Sequence, residues 1–414
     1  MKRVIYFIGL LFWLMSNTGM SQSLDDYLLE AAENNPGLKG AYLRFEAAME
    51  RVDQSNALQD PTLSFGYFIS PVETRLGPQR VKIGLSQMFP WFGTLSAKEE
   101  VANAQAEAAY QMFVDQRDDL FLRVKKLYFL LAEINEHIQW QEENLKILET
   151  YKALSTTQFS NSKGSMVNVI RVDILMESAM TEIMINREKK QAIEYAFATL
   201  LNRQEKAKIV VEPFESQISP VIYDKDSLLL YNPKLKAKEF QISSAESMQR
   251  VAKKQGMPKI GLGLDYVFVG DRTDISVPDN GKNVVMPMFT LSLPIYRKKY
   301  KSAIKEAELT QMTLVAEKEE LVNGLVSSYY MTKNELETAQ QRIALFDHQI
   351  ESTSIAIDLL YSAYENSGQD FEDVLQMQQE LLKYKMAKAT AIKQYNLASA
   401  QLNYLIAHSN ITSK

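Results

Sequence analysis

Few residues of the 414-residue chain have the type and spacing of a reactive centre. There is no cysteine, which excludes disulfide frameworks, thiolate nucleophiles, Cys-based zinc sites and Cys-ligated iron–sulfur clusters together. The three histidines, His137, His348 and His408, lie far apart and show no ligand spacing. Met176, Met180 and Met184 recur every four residues and could present thioethers to copper, but a stripe at that spacing reads as core or interhelical packing. Paired carboxylates are those of a solvated helix surface. One acidic group, Asp370, Glu372 and Asp373, follows Gly368 and complements the dipole of a starting helix. The sequence holds no Walker motif, nucleophile elbow, His-Glu-x-x-His or Cys-x-x-Cys. Gly261-Leu262-Gly263 sits in a strand-like segment with no helix after it, so it is no dinucleotide fingerprint. No enzyme activity, cofactor or bound metal is expected.

The elements explain more than the side-chain chemistry does. None of the 12 prolines falls between Trp91 and Glu212 or between Ile295 and Lys414, so two stretches of about 120 residues lack the commonest helix breaker. Each is interrupted by turn chemistry, at Asn161-Ser162-Lys163-Gly164-Ser165 and at Asn366-Ser367-Gly368-Gln369-Asp370, where Asn and Gly tolerate left-handed backbone and Ser and Asp cap the next helix. Two helical hairpins follow. Gly324, with no turn residues around it, reads as a helix-interior glycine that permits close packing or a slight bend. Leu120, Val124, Leu127, Leu131, Ile134 and Ile138 form a seam in the first hairpin, and Leu336, Ile343, Ile350, Ile357 and Tyr364 recur every seven residues in the second. Such heptads imply coiled-coil packing. A helix from about Thr94 to Phe159 would be roughly 100 Å long.

Four segments alternate instead. Leu63, Phe65, Tyr67 and Ile69 oppose Ser64 and Gly66; Val81, Ile83 and Leu85 oppose Lys82, Gly84 and Ser86; Ile260, Leu262, Leu264, Tyr266 and Phe268 oppose Gly261, Gly263 and Asp265; Phe289, Leu291 and Leu293 oppose Thr290 and Ser292. Their length suits tilted strands crossing an outer membrane, with Phe89, Trp91, Phe92 and Tyr296 as an interfacial aromatic girdle. A soluble sandwich would turn the apolar face inward, yet the small and polar opposite face fits a water-filled lumen facing away from lipid. Four strands cannot close a barrel, and open edges cannot face lipid. The chain must therefore oligomerise, two copies giving eight strands and three giving twelve.

Lys2 and Arg3, an apolar run from Val4 to Met15 and the ending Gly19-Met20-Ser21 read as a signal peptide over residues 1–21, with no cysteine for a lipid anchor. Removing it leaves 44 basic against 51 acidic residues, mild acidity that argues against a nucleic-acid partner. Asn35-Pro36-x-Leu38 recurs as Asn232-Pro233-x-Leu235 and Phe159-x-Asn161-Ser162 as Tyr364-x-Asn366-Ser367. The chain thus reads as a duplicated module. The first repeat, 22–203, has strands at about 61–69 and 80–88 and a hairpin over 94–203. The second, 231–408, has strands at about 258–269 and 286–294 and a hairpin over 297–408. An irregular connector over 204–230 joins them, and 409–414 form a tail.

The duplicated Asn-Pro-x-Leu, Asp60-Pro61 before a strand, Leu85-Ser86-Gln87-Met88-Phe89-Pro90-Trp91-Phe92-Gly93, Leu291-Ser292-Leu293-Pro294-Ile295 and Gly368-x-x-x-x-Asp373-Val374-Leu375 together resemble the TolC-like outer membrane efflux proteins. The resemblance implies a mainly α chain with a small β part. Its long hairpins form a periplasmic α-barrel, and its four strands join a homotrimeric twelve-stranded membrane β-barrel. It implies an outer membrane exit duct for small molecules or metal cations, with a periplasmic adaptor and an inner-membrane pump as partners, and the Phe-Pro-Trp-Phe-Gly segment looks more like the metal-cation branch than the general drug-efflux branch. By the same resemblance Asp373 belongs to a pore constriction with Asp370 and Glu372 nearby, and Gln376 stands where the family carries a second aspartate. Asn161, Ser162, Gly164 and Ser165, with Asn366, Ser367 and Gly368, become adaptor-docking tips. The family's gate also uses a tyrosine and an arginine near the tip; Tyr364 is one position out of register, and no arginine is evident. The alternatives are a duct for type I protein secretion, or a soluble periplasmic coiled-coil adaptor or scaffold, which would need neither girdle nor alternating strands.

Overall fold

The computed structural model describes residues 23–203, 209–213, 225–367 and 371–407, with Asn366 and Ser367 described by backbone alone. The signal segment 1–21, Gly368, Asp370 and the tail 409–414 lie outside the described residues. The elements run α1 (Leu24–Asn34), α2 (Pro36–Asn56), β1 (Thr62–Val72), β2 (Gln79–Phe89), α3 (Thr94–Ser160), α4 (Met166–Leu200), α5 (Lys225–Tyr231), α6 (Pro233–Gln255), β3 (Lys259–Val269), β4 (Val284–Ser292), α7 (Arg297–Ser367) and α8 (Phe371–Leu405). Helix α5 begins within the stretch expected to be irregular and ends one residue beyond it. The fourth strand ends at Ser292, two residues early, because Pro294 has no N–H for a ladder and the Ile295 amide turns back to the Leu293 carbonyl at 3.0 Å.

The chain divides into two compact units, each drawing on both halves of the sequence: Gly40–Asp115 with Pro233–Asn323, and Met1–Lys39 with Gln116–Asn232 and Gly324–Lys414. In the latter unit, a capping box in which Ser23 and Asp26 satisfy each other's backbone amides starts α1. Tyr27, fully buried, stacks edge-on against Phe197 at 5.0 Å and donates its hydroxyl to the Val210 carbonyl at 3.0 Å. Arg203 lies over the Tyr27 ring and pairs with Glu30. The heptad seam is where the core lies: Leu120, Val124, Leu131 and Ile134 on α3 and Leu336, Ala339, Ile343 and Ile357 on α7 are all buried.

The repeated Asn-Pro pair has one structural job in both copies. Asn35, held extended by the proline after it, ends α1 and donates its side-chain amide to the Leu200 carbonyl at the end of α4, 2.9 Å away. Asn232 makes the corresponding bond to Leu405 at the end of α8, also 2.9 Å. Each asparagine thus caps the last helix of its own repeat with a donor that the helix terminus lacks.

The other unit carries one antiparallel sheet in the order β1-β2-β3-β4. Pro71 sits where the β1–β2 register breaks, and Pro287 lies on the edge strand β4, positions at which a missing donor is tolerated. Gly324 is helix-interior as expected, but a Cβ there would meet nothing within 4 Å, so close packing within the chain is not its reason.

Candidate functional site

The sheet buries the wrong side for a soluble protein. One cross-strand row, Phe65, Ile83, Tyr266 and Val285, belongs to the apolar face, and along that face Ile69 is 91%, Leu63 73% and Phe65 72% exposed. On the opposite face the row Ser64, Gly84, Asp265 and Met286 holds a carboxylate only 1% exposed. Asp265 forms an ion pair with Lys82, diagonally across β2 and β3. Its oxygens make no other hydrogen bond among the described residues. Gly84 makes room for it: a Cβ would fall 2.3 Å from one Asp265 carboxylate oxygen and 2.7 Å from the Ser64 hydroxyl. Among the described residues no further strand pairs with β1 or β4, so both edges of the sheet carry unpaired backbone.

At one end of the sheet the two strand connections are tied together. The Gly270 amide donates to the Pro78 carbonyl and the Gly281 amide to the Leu76 carbonyl, both at 2.8 Å. Gly77 has φ +124°, and a Cβ there would overlap the Gly270 carbonyl oxygen, so only glycine fits. Arg272 forks onto Asp274 with two 2.7 Å bonds, and that guanidinium holds the Asp274 carboxyl down to about 2. At the other end the chain leaves β2 through the aromatic segment. Phe89 and Trp91 are half-buried, whereas Phe92 and Tyr296 are 76% and 78% exposed. Trp91 meets Phe92 edge-on at 5.9 Å, and Gly93, at φ +74°, turns the chain into α3.

The first hairpin tip closes differently from expectation. The left-handed residue is Ser162 (φ 60°), not Asn161 or Gly164. It ends α3 in a Schellman arrangement, with the Lys163 amide on the Gln158 carbonyl at 2.9 Å and the Ser162 amide on Phe159 at 3.0 Å. Gly164 serves by lacking a Cβ, which would stand 3.2 Å from that of Gln158. Ser165 then caps α4, its hydroxyl accepting from the Val167 amide at 3.2 Å.

At the second tip, Glu372, Asp373 and Gln376 are exposed on the first turns of α8. Glu372 pairs with Arg171 of α4 at 2.6 Å. Arg171 belongs to the other hairpin, 201 positions from Glu372, so no local motif signals this pair. Tyr364 is buried with Leu148, Tyr151, Val172, Phe371 and Val374 in a cluster joining both hairpins, and its hydroxyl has no hydrogen-bond partner among the described residues. Burial in that cluster, with Tyr361 and Asp358 close by, pushes the Tyr151 hydroxyl up to about 12. Of the methionine stripe, only Met176 packs against this cluster; Met180 and Met184 are 43% and 58% exposed, so the packing reading fails for them within the chain. No group of three or more His, Asp or Glu side chains able to hold a metal occurs among the described residues.

The sequence matches the family described as outer membrane efflux protein over residues 28–203 and 226–408. No curated protein matches it. Among solved structures, the outer membrane protein VceC of Vibrio cholerae superposes with a TM-score of 0.77 at 17% identity, covering 92% of this chain and 95% of that one. The CusC structure gives 0.76 at 16%, covering 92% and 91%. The open-state MtrE channel of Neisseria gonorrhoeae gives 0.73 at 19%, covering 92% and 88%.

Proposed function

Because this chain belongs to the outer membrane efflux protein family and is a passive channel component rather than an enzyme, we propose that three copies close one twelve-stranded barrel and form the exit duct of a tripartite efflux system. The observation that carries this is the inverted sheet. Its large apolar side chains lie bare while the Asp265 carboxylate is buried against Lys82 on the other face, and among the described residues both edges stay open. An unpaired backbone group in lipid costs several kcal/mol, so such edges demand neighbouring copies. Four strands per chain make eight with two copies and twelve with three, and the family favours three. The helical hairpins continue the duct into the periplasm, where the tips at Asn161–Ser165 and around Asn366–Gly368 receive an adaptor joined to an inner-membrane pump. Asp373, with Glu372 and Gln376 beside it, lines the narrowest point and selects for cations. The cargo is a small molecule or a metal cation, the aromatic Phe89–Gly93 segment favouring the metal branch. A signal peptide ending near Ser21 supplies the export route.

The absence of cysteine allows a direct test. In outer membranes, a membrane-impermeant maleimide is expected to label Ser64→Cys on the polar face through the water-filled lumen and to leave Phe65→Cys on the lipid face unlabelled. The reverse pattern would return the sheet to a soluble sandwich. Three-fold cross-linking of the same preparations on a gel, or its failure, decides the copy number.

A further inference from the structure

A cavity of about 190 Å³ lies where the strand ends meet the starts of the long helices, and four lysines, Lys98, Lys254, Lys259 and Lys299, line it with no carboxylate among them. Lys254 donates to the Phe92 carbonyl at 3.2 Å. Among the described residues none of the four is in an ion pair. One of them sits where a cation is least welcome, and a second lies one turn further into its helix. Lys98 is in the second turn of α3 and Lys299 in the first turn of α7, which opens Arg297-Lys298-Lys299, and neither helix has an acidic residue in its first turn. The positive end of a helix dipole favours anions, so lysines gathered there raise the energy of the empty site. Thr94, the first residue of α3, also lines the cavity; it is 4% exposed and its hydroxyl has no hydrogen-bond partner among the described residues. A buried hydroxyl left unpaired costs free energy that a ligand oxygen would recover.

We propose that this cavity binds a phosphate group. Ammonium point charges, two helix N-termini and a hydroxyl donor are the usual means of holding one. The volume is smaller than a drug-sized ligand needs, and matches a headgroup rather than a whole molecule. Half-buried Trp91 lines the same cavity, with Phe92 next to it in the chain. The phosphate source that fits this setting is an anionic phospholipid at the periplasmic surface of the outer membrane. That choice of source rests on the channel reading above, whereas the phosphate chemistry does not.

The full-length protein in non-ionic detergent is titrated with dihexanoyl phosphatidylglycerol, dihexanoyl phosphatidylcholine or inorganic phosphate, and the melting temperature is followed. Phosphatidylglycerol is expected to raise it saturably, with phosphatidylcholine clearly weaker. Lys98→Gln and Lys299→Gln, both at exposed positions, each weaken the apparent affinity about tenfold. Thr94→Ala, which leaves every charge in place, weakens it severalfold. An equal response to inorganic phosphate would overturn the lipid source and keep the phosphate site. No response to any probe, or lysine variants that bind as the parent does, would overturn the site itself. Because the titration is done in detergent, its result is independent of the thiol-labelling test of the barrel.

Discussion

The side-chain amide of Asn232 donates to the carbonyl of Leu405 at 2.9 Å, so the residue that opens the second repeat also caps the helix that ends it. Asn35 and Leu200 do the same for the first repeat. Asn232 is 3% exposed, and Ala in its place leaves the Leu405 carbonyl without that donor. Asn232→Ala is expected to lower stability by about 1–3 kcal/mol, and Asn232→Asp by more, since a carboxylate cannot donate and would be buried beside an acceptor. Thermal unfolding followed by circular dichroism checks this; an Asn232→Ala melt superimposable on the parent's would remove the capping role.

The duplication shows how far the sequence carried. Asn-Pro was visible as a repeated pair because both copies kept the letters, and the strands and seams were visible because period two and period seven repeat over many residues. The bonds from Asn35 to Leu200 and from Asn232 to Leu405 were not, since their partners are backbone carbonyls more than 160 positions away. Contacts such as Lys82 with Asp265 and Arg171 with Glu372 were hidden for the same reason. Ser162 was missed as the left-handed residue because Asn161 and Gly164 beside it have the stronger intrinsic preference, and the Schellman geometry of the last turn decided the position instead.

The Lys82–Asp265 pair makes the polar face of the sheet sensitive to single changes. Lys82→Met leaves the Asp265 carboxylate unpaired in a site 1% exposed, an expected loss of about 3 kcal/mol, at the low end of the range for broken buried pairs because Lys82 itself is 36% exposed. The double change Lys82→Met with Asp265→Leu is expected to recover most of it, since no charge then remains to be solvated. Gly84→Ala should destabilise even with the pair intact, because the new methyl collides with the Asp265 carboxylate. The temperature at which the oligomer dissociates on a gel ranks these variants. A double mutant no better than Lys82→Met alone would show that the pair is not what the site requires.

The tip cluster should respond to alkaline pH. The Tyr151 hydroxyl, raised to about 12 against 10 in an unfolded chain, keeps its proton longer in the folded state. Its contribution to stability is therefore complete below pH 10 and is lost as pH rises from 10 towards 12, on the order of 2 kcal/mol in all. Tyr151→Phe is expected to flatten this part of the profile, and Tyr364→Phe, which removes a buried unpaired hydroxyl, should be neutral or slightly stabilising at neutral pH. Hydrogen exchange of amides near residues 148–151 and 371–375 between pH 9 and 11, corrected for the intrinsic rate, separates tip opening from global unfolding. An unchanged alkaline profile in Tyr151→Phe would assign the loss elsewhere.

Arg171 and Glu372 hold the two hairpin tips together beside Asp373, yet both side chains are largely in water, 41% and 68% exposed. Exposed pairs contribute about 0–1 kcal/mol, so Arg171→Ala should barely move the melting temperature. Its effect is expected in conduction. If the pair restrains the tips, its removal raises single-channel conductance in planar bilayers severalfold, and the exchange Arg171→Glu with Glu372→Arg returns it towards the parent value because the attraction is restored with its sign reversed. Asp373→Ala tests a different property at the same place. If three copies bring their Asp373 carboxylates together at the proposed constriction, these attract cations and repel anions, so their loss should reduce cation selectivity and move the reversal potential in a salt gradient towards zero. A shifted reversal potential with unchanged conductance in Asp373→Ala, and the converse in Arg171→Ala, separates selection from gating. Unchanged reversal potentials in Asp373→Ala would take that residue out of the pore.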